Sequence, residues 1–337
     1  MSLKNKTCLI AYNPSLDHPT EDFDSSLESR DDIKAVRRAL KELGVRTQTL
    51  GLKKISPNLI NQLKKDIRPD FVFNLCETFA GRNHAEMHVA SFFELLNLPY
   101  TGSPPLALGL AVNKMRCKNI LRMVGVPTAA AVNVAVGERL RIGRMKPPFI
   151  IKPALEDGSF GLSKNSVVYD LIAAERQIAF IHENFRQSAL VEQYIEGREV
   201  TIAVIHQPPF SFGVGEILFD AYDSDEPHII SYEAKWAVKP KISLTYPAVL
   251  DSAMKNKLEK IAGRAFRAIG CRDYARIDVR IDKNNQPYVL EVNPNPDISP
   301  KSEFENLAKT SGLTYTDFIK TVAENTLNRR ADSGLEL

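Results

Sequence analysis

"YARIDVRIDKNNQPYVLEVN", residues 274–293, reads as two β-strands around a polar turn. With the turn "DKNNQP" (residues 282–287) taken as symmetric, Ile281 faces Tyr288, Asp278 faces Glu291 and Arg276 faces Asn293. Alternation by two then gathers Arg276, Asp278, Glu291 and Asn293 on one face, and Ile277, Val279, Ile281, Tyr288, Leu290 and Val292 on the other. Two carboxylates directly opposed on a ladder repel and call for a cation. Two acids and an amide suit magnesium, which takes hard oxygen ligands. The competing reading is a surface hairpin whose acids are neutralised by Arg276 or Arg280.

Composition bounds the rest. The 337 residues are 44% hydrophobic and 25% charged, which suits a folded protein of two or three domains. The net charge of +3 is small and no basic run tracks a polymer of phosphates, so nucleic acid is not an expected partner. No apolar stretch approaches the roughly eighteen residues of a membrane span, and the start lacks a secretory h-region; a cytoplasmic protein without a membrane partner is expected. Cys8, Cys76, Cys117 and Cys271 are widely spaced, indicating neither a zinc site nor a disulfide framework.

Along the chain, "KTCLIAYN" reads as a strand, "SRDDIKAVRRALKELG" as a helix closed by Gly44, "RTQTLGL" as extended and "PDFVFNLCE" as a buried strand. This alternation implies a small open α/β sheet. "LALGLAVNKMRCKNILRMVG" reads as one helix ending at Gly125. An antiparallel section follows: "PPFIIKPA", "GLSKNSVVY", the helix "LIAAERQIAFIHENF", "ALVEQYI" and "REVTIAVI". The last third holds a polar loop at 220–235, the helix "DSAMKNKLEKIAGRAFRAIG", the two strands quoted first and a closing helix.

Pieces of a nucleotide site recur at strand ends. In "PPFIIKPALEDGSFGLSK" a strand ends at Lys152 before Gly158 and Gly161, which let backbone N–H groups close on phosphate oxygens. It is not a Walker A loop, because GxxxxGK[ST] and the following helix are absent. "ALVEQYIEGREV" offers backbone for an adenine edge and Glu199 for ribose hydroxyls; alternatively Glu192 and Glu199 are solvated acids flanking a Gly197 turn. "HAEMH" sets His84 and His88 one helical turn apart, but its glutamate is misplaced for HExxH and no metal site is assigned. Cys76 beside Glu77 reads as a core thiol.

Together these stretches resemble the ATP-grasp superfamily and, within it, D-alanine–D-alanine ligase, from about Cys8 to Asn325. "FFELLNLPYTGSPPLALGLAVNKMRCKNILRMVGVPT", "FIIKPALEDGSFGLSK", "LVEQYIEGREVTIAVI", "SYEAKWA" and "GCRDYARIDVRIDKNNQPYVLEVNPNPDISP" carry the resemblance, in the family's order. It implies an α/β (α+β) three-domain fold: an N-terminal open α/β sheet (1–102), then two antiparallel-sheet domains enclosing ATP, a central one with the glycine-rich loop (103–189) and a C-terminal one with the magnesium site (190–337). By the same resemblance Lys114, Lys152 and Lys235 contact the nucleotide, the "GSFG" loop with Gly158 and Ser159 covers the phosphates, Glu192 and the backbone through Ile195 hold adenine, and Glu199 holds the ribose. Asp278, Glu291 and Asn293 would bind two magnesium ions, with manganese able to substitute, and Arg276 would face the reacting carboxyl group. The activity implied is ATP-dependent joining of a carboxylate to an amine, both drawn from amino acids, through an acyl phosphate; a homodimer is suggested by the family alone. The alternatives are a ligase for a different amino acid or amine in specialised metabolism, and a non-catalytic ATP-binding module.

Departures from the family cluster on the amino-acid side. The ammonium-gripping glutamate has no clean counterpart, Glu21 or Glu28 being the candidates. Gly158 stands where the family has a substrate-facing serine, and Trp236 replaces a tyrosine, removing a hydroxyl link. Glu77 opens toward the cleft, Ser302 is kept, and Asp297 falls where the family has a glycine beside the second substrate's carboxylate. Two carboxylates there would repel by about 4 kcal/mol at about 4 Å and an effective dielectric of about 20. An amine substrate other than plain D-alanine is therefore expected, unless Asp297 turns away to bond Lys301 or a loop N–H.

Overall fold

The structure, a computed structural model, describes residues 2–14, 31–80, 82, 85–156, 158–207, 209–222, 226–231 and 242–332. Strand β1 (Thr7–Tyr12) is apolar throughout because both its faces are covered. It pairs in parallel with β2 (Arg46–Gly51) and β3 (Phe71–Leu75), in the order β2-β1-β3. Helix α1 (Asp31–Glu42) opens on two aspartates and carries Lys41 in its last turn, both favourable to the helix dipole. A short α2 (Pro57–Asn61) runs into a π-turn at Gln62–Ile67, and α3 (Glu86–Leu95) follows β3.

The expected single helix before Gly125 is two, α4 (Pro105–Val112) and α5 (Lys114–Met123). Asn113 leaves helical geometry (φ −84°, ψ 89°) and its side chain accepts from the Arg116 N–H, capping α5. A four-stranded antiparallel sheet follows in the order β4 (Ala131–Val134), β7 (Ala189–Gln193), β5 (Phe149–Pro153), β6 (Val167–Val168), backed by α6 (Leu171–Phe185). Of the strand expected in "GLSKNSVVY" only Val167–Val168 forms, after a 3-10 turn at Lys164–Ser166 capped by the Ser163 hydroxyl. The boundary expected between 189 and 190 would cut β7 from the partners that hold it, so this layer runs on through Gln193.

The third sheet, antiparallel throughout, has the order β10 (Ser243–Thr245), β9 (Ser211–Leu218), β8 (Gly197–Ile205), β11 (Tyr274–Asp282), β12 (Pro287–Asn293). Its apolar face packs on α4, α5 and α7 (Ser252–Ile269), so residues 105–126 belong to this core rather than to the central sheet. The sequence reading passed over β9, where glycines thin the apolar pattern. A Cβ on Gly213 would lie 1.8 Å from the Leu307 carbonyl oxygen, so only glycine lets α8 (Glu303–Thr310) approach. The closing helix is likewise two, α8 and α9 (Tyr315–Asp332).

These last helices cross back to the first sheet. Phe304, Leu307, Phe318 and Val322 share one core with Cys8, Ile10, Phe71 and Phe73, while Leu9, Ala11 and Val72 face Leu59, Val89 and Phe93 on the other side. None of the four cysteines is in a disulfide and all are buried, Cys76 completely, as expected of core thiols. Among the described residues no helix is long and apolar enough to cross a membrane.

A polar latch ties α9 to the segments at Tyr100–Gly102 and Arg272–Asp273. Asp273 is fully buried and accepts from both terminal nitrogens of Arg329 and from the Gly102 N–H at 2.7 Å. Arg329 also donates to the Tyr100 carbonyl at 3.1 Å, and the Arg272 guanidinium lies 4.8 Å over the Tyr100 ring. Asp273→Ala should cost about 3 kcal/mol, the low end for removing one partner of a buried pair. Urea unfolding of the two proteins measures it; a difference below about 0.5 kcal/mol would remove the latch.

Candidate functional site

The site lies where the two antiparallel sheets face each other across a cavity of about 670 Å³. On the central side, Ile151 points into the core and its neighbour Lys152 therefore points out, since successive strand residues alternate. Glu192, opposite Ile150 across the β5–β7 ladder, lies between two lysines: Lys118 Nζ is 2.8 Å from Oε1 and Lys152 Nζ 3.1 Å from Oε2. Burial alone pushes the Glu192 carboxyl up, but the charges of Lys118 and Lys152 outweigh it and hold it at about 2. Lys118 is 1% exposed, and burial pulls its own pKa down despite Glu192. It also donates to Thr128 Oγ1 at 2.8 Å, and that hydroxyl donates to the Val289 carbonyl of the opposite sheet. The sequence reading overlooked Lys118; the signal was its i, i+4 spacing from Lys114 on α5.

On the C-terminal side the expected register holds at the strand ends and fails at the turn. Asp282 N–H bonds the Gln286 carbonyl, leaving a three-residue loop with Asn285 at φ 58°, so Ile281 faces Pro287 and Arg280 faces Tyr288. A β-bulge between Asp278 and Val279 takes up the extra residue, Leu290, and restores Asp278 opposite Glu291 and Arg276 opposite Asn293. Val289 therefore fills the core place expected for Tyr288 and Leu290, while Leu290 turns to the cavity beside Glu291. A symmetric turn was the wrong assumption.

The acids are matched by cations. Arg276 grips Asp278 with two bonds of 2.9 Å, Thr201 Oγ1 donates to the same carboxylate at 3.0 Å, and Arg276 Nη1 lies 3.5 Å from Glu303 Oε2. Burial works against the charged Arg276, but Asp278 and Glu303 prevail and its pKa is raised. Lys114, set by the Asn113 break, has Nζ 3.6 Å from Glu291 Oε1. Glu199 is buried and its pKa is raised, chiefly by burial, although Arg280 Nη2 lies 2.5 Å from its Oε2. Asp278, Glu291 and Asn293 thus line one wall as two carboxylates and an amide, donors suited to a hard divalent ion. Among the described residues no group of three or more His, Cys, Asp or Glu converges as a metal site.

The loop after β5 completes the roof: Gly158, Ser159 and Leu162 line the cavity, with φ of 64° at Gly158 and 65° at Ser159. At Gly161 (φ 78°) a Cβ would sit 2.7 Å from Pro153, so the loop can turn only on glycine. Ile195 and Glu77 also line the cavity. Asn295 joins the layers: its Nδ2 donates to the Cys76 carbonyl at 3.0 Å and to Glu86 Oε1 at 2.6 Å, and its N–H donates to Asn293 Oδ1. Asp297 lines the cavity but one oxygen accepts the Ser299 N–H at 2.8 Å, the loop bond foreseen as its alternative. Ser302 is occupied as the N-cap of α8, accepting from the Glu305 N–H. His88 is exposed on α3. Glu28, His84, Lys235 and Trp236 lie outside the described residues.

The chain is similar to known proteins. The family profile described as "D-ala D-ala ligase C-terminus" matches residues 128–324. An uncharacterized protein of Sinorhizobium fredii, y4sG, is 32% identical over 290 residues, covering 82% of each chain. A D-alanine–D-alanine ligase of the same organism is 30% identical over 262 residues, 77% of this chain and 81% of its own. In fold, the chain is similar to a D-alanine–D-alanine ligase from Bacillus anthracis complexed with ATP, with a TM-score of 0.72, 20% identity, and coverage of 98% of this chain and 100% of that one.

The buried triad predicts a pH signature. Because Glu192 titrates at about 2 when folded, below its ordinary 4.5, its contribution is full above about pH 4.5 and is lost as pH falls toward 2. Between about pH 5 and pH 3, urea unfolding should show the wild type losing more stability than Glu192→Gln. Parallel losses would mean the lysines do not hold the carboxylate.

Proposed function

The chain belongs to the D-alanine–D-alanine ligase family of ATP-dependent ligases, and we propose that it activates a carboxylate as an acyl phosphate and joins it to an amine, the donor being an amino acid. The observation that carries this reading is the convergence of Arg276, Asp278, Glu291 and Asn293 at the ends of two paired strands, across a cavity from Lys152 and the Gly158–Ser159 turn.

In this reading the nucleotide lies between the sheets. Backbone around Ile195 meets the adenine edge, and Glu199 meets the ribose hydroxyls; Glu192 acts through the lysines it holds rather than by touching the base. Lys114 and Lys152 stand beside the phosphates, and the turn at Gly158 and Ser159 offers N–H groups to them. Asp278, Glu291 and Asn293 would hold magnesium, which when bound offsets charge on the phosphoryl oxygens. The substrate carboxylate attacks the γ-phosphate and ADP leaves; the amine then attacks the acyl carbon, and phosphate departs. Arg276 is placed to stabilise the oxyanion of that second step.

A ligase for an amine other than D-alanine is the second reading; Asp297 on the cavity wall would support it, but its bond to the Ser299 N–H accounts for that residue without it. A non-catalytic ATP-binding module has no use for Arg276 beside the acids.

ADP release should require both an amino acid and a divalent ion, stop with a chelator and return with magnesium. Arg276→Ala should lower kcat by about 10²–10³. ADP release independent of added amino acid would remove the ligase reading.

A further inference from the structure

Separate pieces of the cavity wall meet on one guanidinium. Arg280 stands directly opposite Glu199 on the β8–β11 ladder, and both are buried. Its Nη2 lies 2.5 Å from Glu199 Oε2 and donates to the His228 carbonyl at 2.8 Å, while Nη1 donates to the Gly197 carbonyl at 3.1 Å. The guanidinium lies 5.6 Å over the Phe219 ring and 5.9 Å over that of Tyr194. Phe219 in turn stacks on His228 with centroids 5.0 Å apart, and the Tyr194 hydroxyl donates to the same His228 carbonyl at 3.2 Å.

Neutralising Glu199 asks only for a positive charge, which a lysine would supply. Arg280 does more, because its planar fork reaches two carbonyls of segments far apart in sequence, the connector ending at Gly197 and the stretch at 226–231. Both segments face the cavity, through Tyr194 and Ile195 on one side and Ile229 and Ile230 on the other. Resting on the nucleotide placement proposed above, we propose that Arg280 is the positioning residue for nucleotide selection. It sets the ribose carboxylate Glu199, the connector that meets the adenine edge and the wall at Ile229 and Ile230 in one arrangement. With the fork lost, the ribose and base contacts relax together even where the charge beside Glu199 is kept. The bonds made and broken in the ligation stay as already described; only the choice of nucleotide is assigned.

The full chain, with magnesium and a set of D- and L-amino acids, is assayed for nucleoside diphosphate release from ATP, 2′-deoxyATP and GTP, and Kd is measured for ADP, 2′-deoxyADP and GDP. The wild type should prefer the adenine ribonucleotide in both series. Arg280→Lys should shrink both preferences by about fivefold or more, acting through KM for the nucleotide rather than through kcat. The preferences are ratios internal to each protein, so a partly unfolded preparation does not imitate the effect. Should Arg280→Lys fail to fold, Tyr194→Phe, which removes the hydroxyl bonded to the His228 carbonyl, should shrink the ATP-to-GTP preference by about twofold or more. A wild type indifferent to the analogues, or preferences untouched in Arg280→Lys or, failing it, in Tyr194→Phe, overturns the assignment while leaving the ligase reading standing. Nucleotide turnover that ignores added amino acid overturns the ligase reading instead, and the Kd series then decides the role of Arg280 by itself.

Discussion

Two carboxylates confront each other on neighbouring strands, and much of this molecule is arranged around that repulsion. Asp278 and Glu291 are direct partners in the β11–β12 ladder, where like charges destabilise the pairing. The fold answers with Arg276 bonded twice to one and Lys114 near the other, each delivered by a local irregularity. The bulge at Leu290 restores the opposition of the acids after a tight turn, and the Asn113 break starts a new helix at Lys114. Both irregularities cost regular hydrogen bonding, and both lie beside the cavity, where such departures from local regularity are expected to concentrate.

The opposite wall follows the same logic with the signs reversed. Glu192 is an acid placed between two lysines rather than a cation placed between acids. Lys118 in turn donates to Thr128, and that hydroxyl donates to the Val289 carbonyl of the facing sheet. A charged group so deeply buried is tolerable only because each of its neighbours carries the complementary charge or an acceptor.

Legibility from sequence tracked how local the cause was. The apolar strands of the first sheet and the helix at 171–185 follow from uninterrupted patterns, and the parallel and antiparallel layers stand as expected. The strand ends of the β11–β12 hairpin were placed correctly although its turn was not, because two errors of one residue cancelled: a shorter loop and an unforeseen bulge. What escaped was set by distant partners. β9 owes its glycines to the approach of α8, and the helix that Ser302 caps was not separated from the one that follows it. Lys118 and Glu303 look like ordinary helix-surface charges until the chain is folded and their partners, from strands far away in sequence, arrive.

The sharing of one core between the first sheet and the last two helices bears on how the protein is made. Ile10 and Phe73 are synthesised well before Phe318 and Val322, which help to cover them. α1 covers part of that face early, through Val36 and Leu40, but the rest stays open until α8 and α9 are made, a stretch during which exposed apolar strands invite association with other chains.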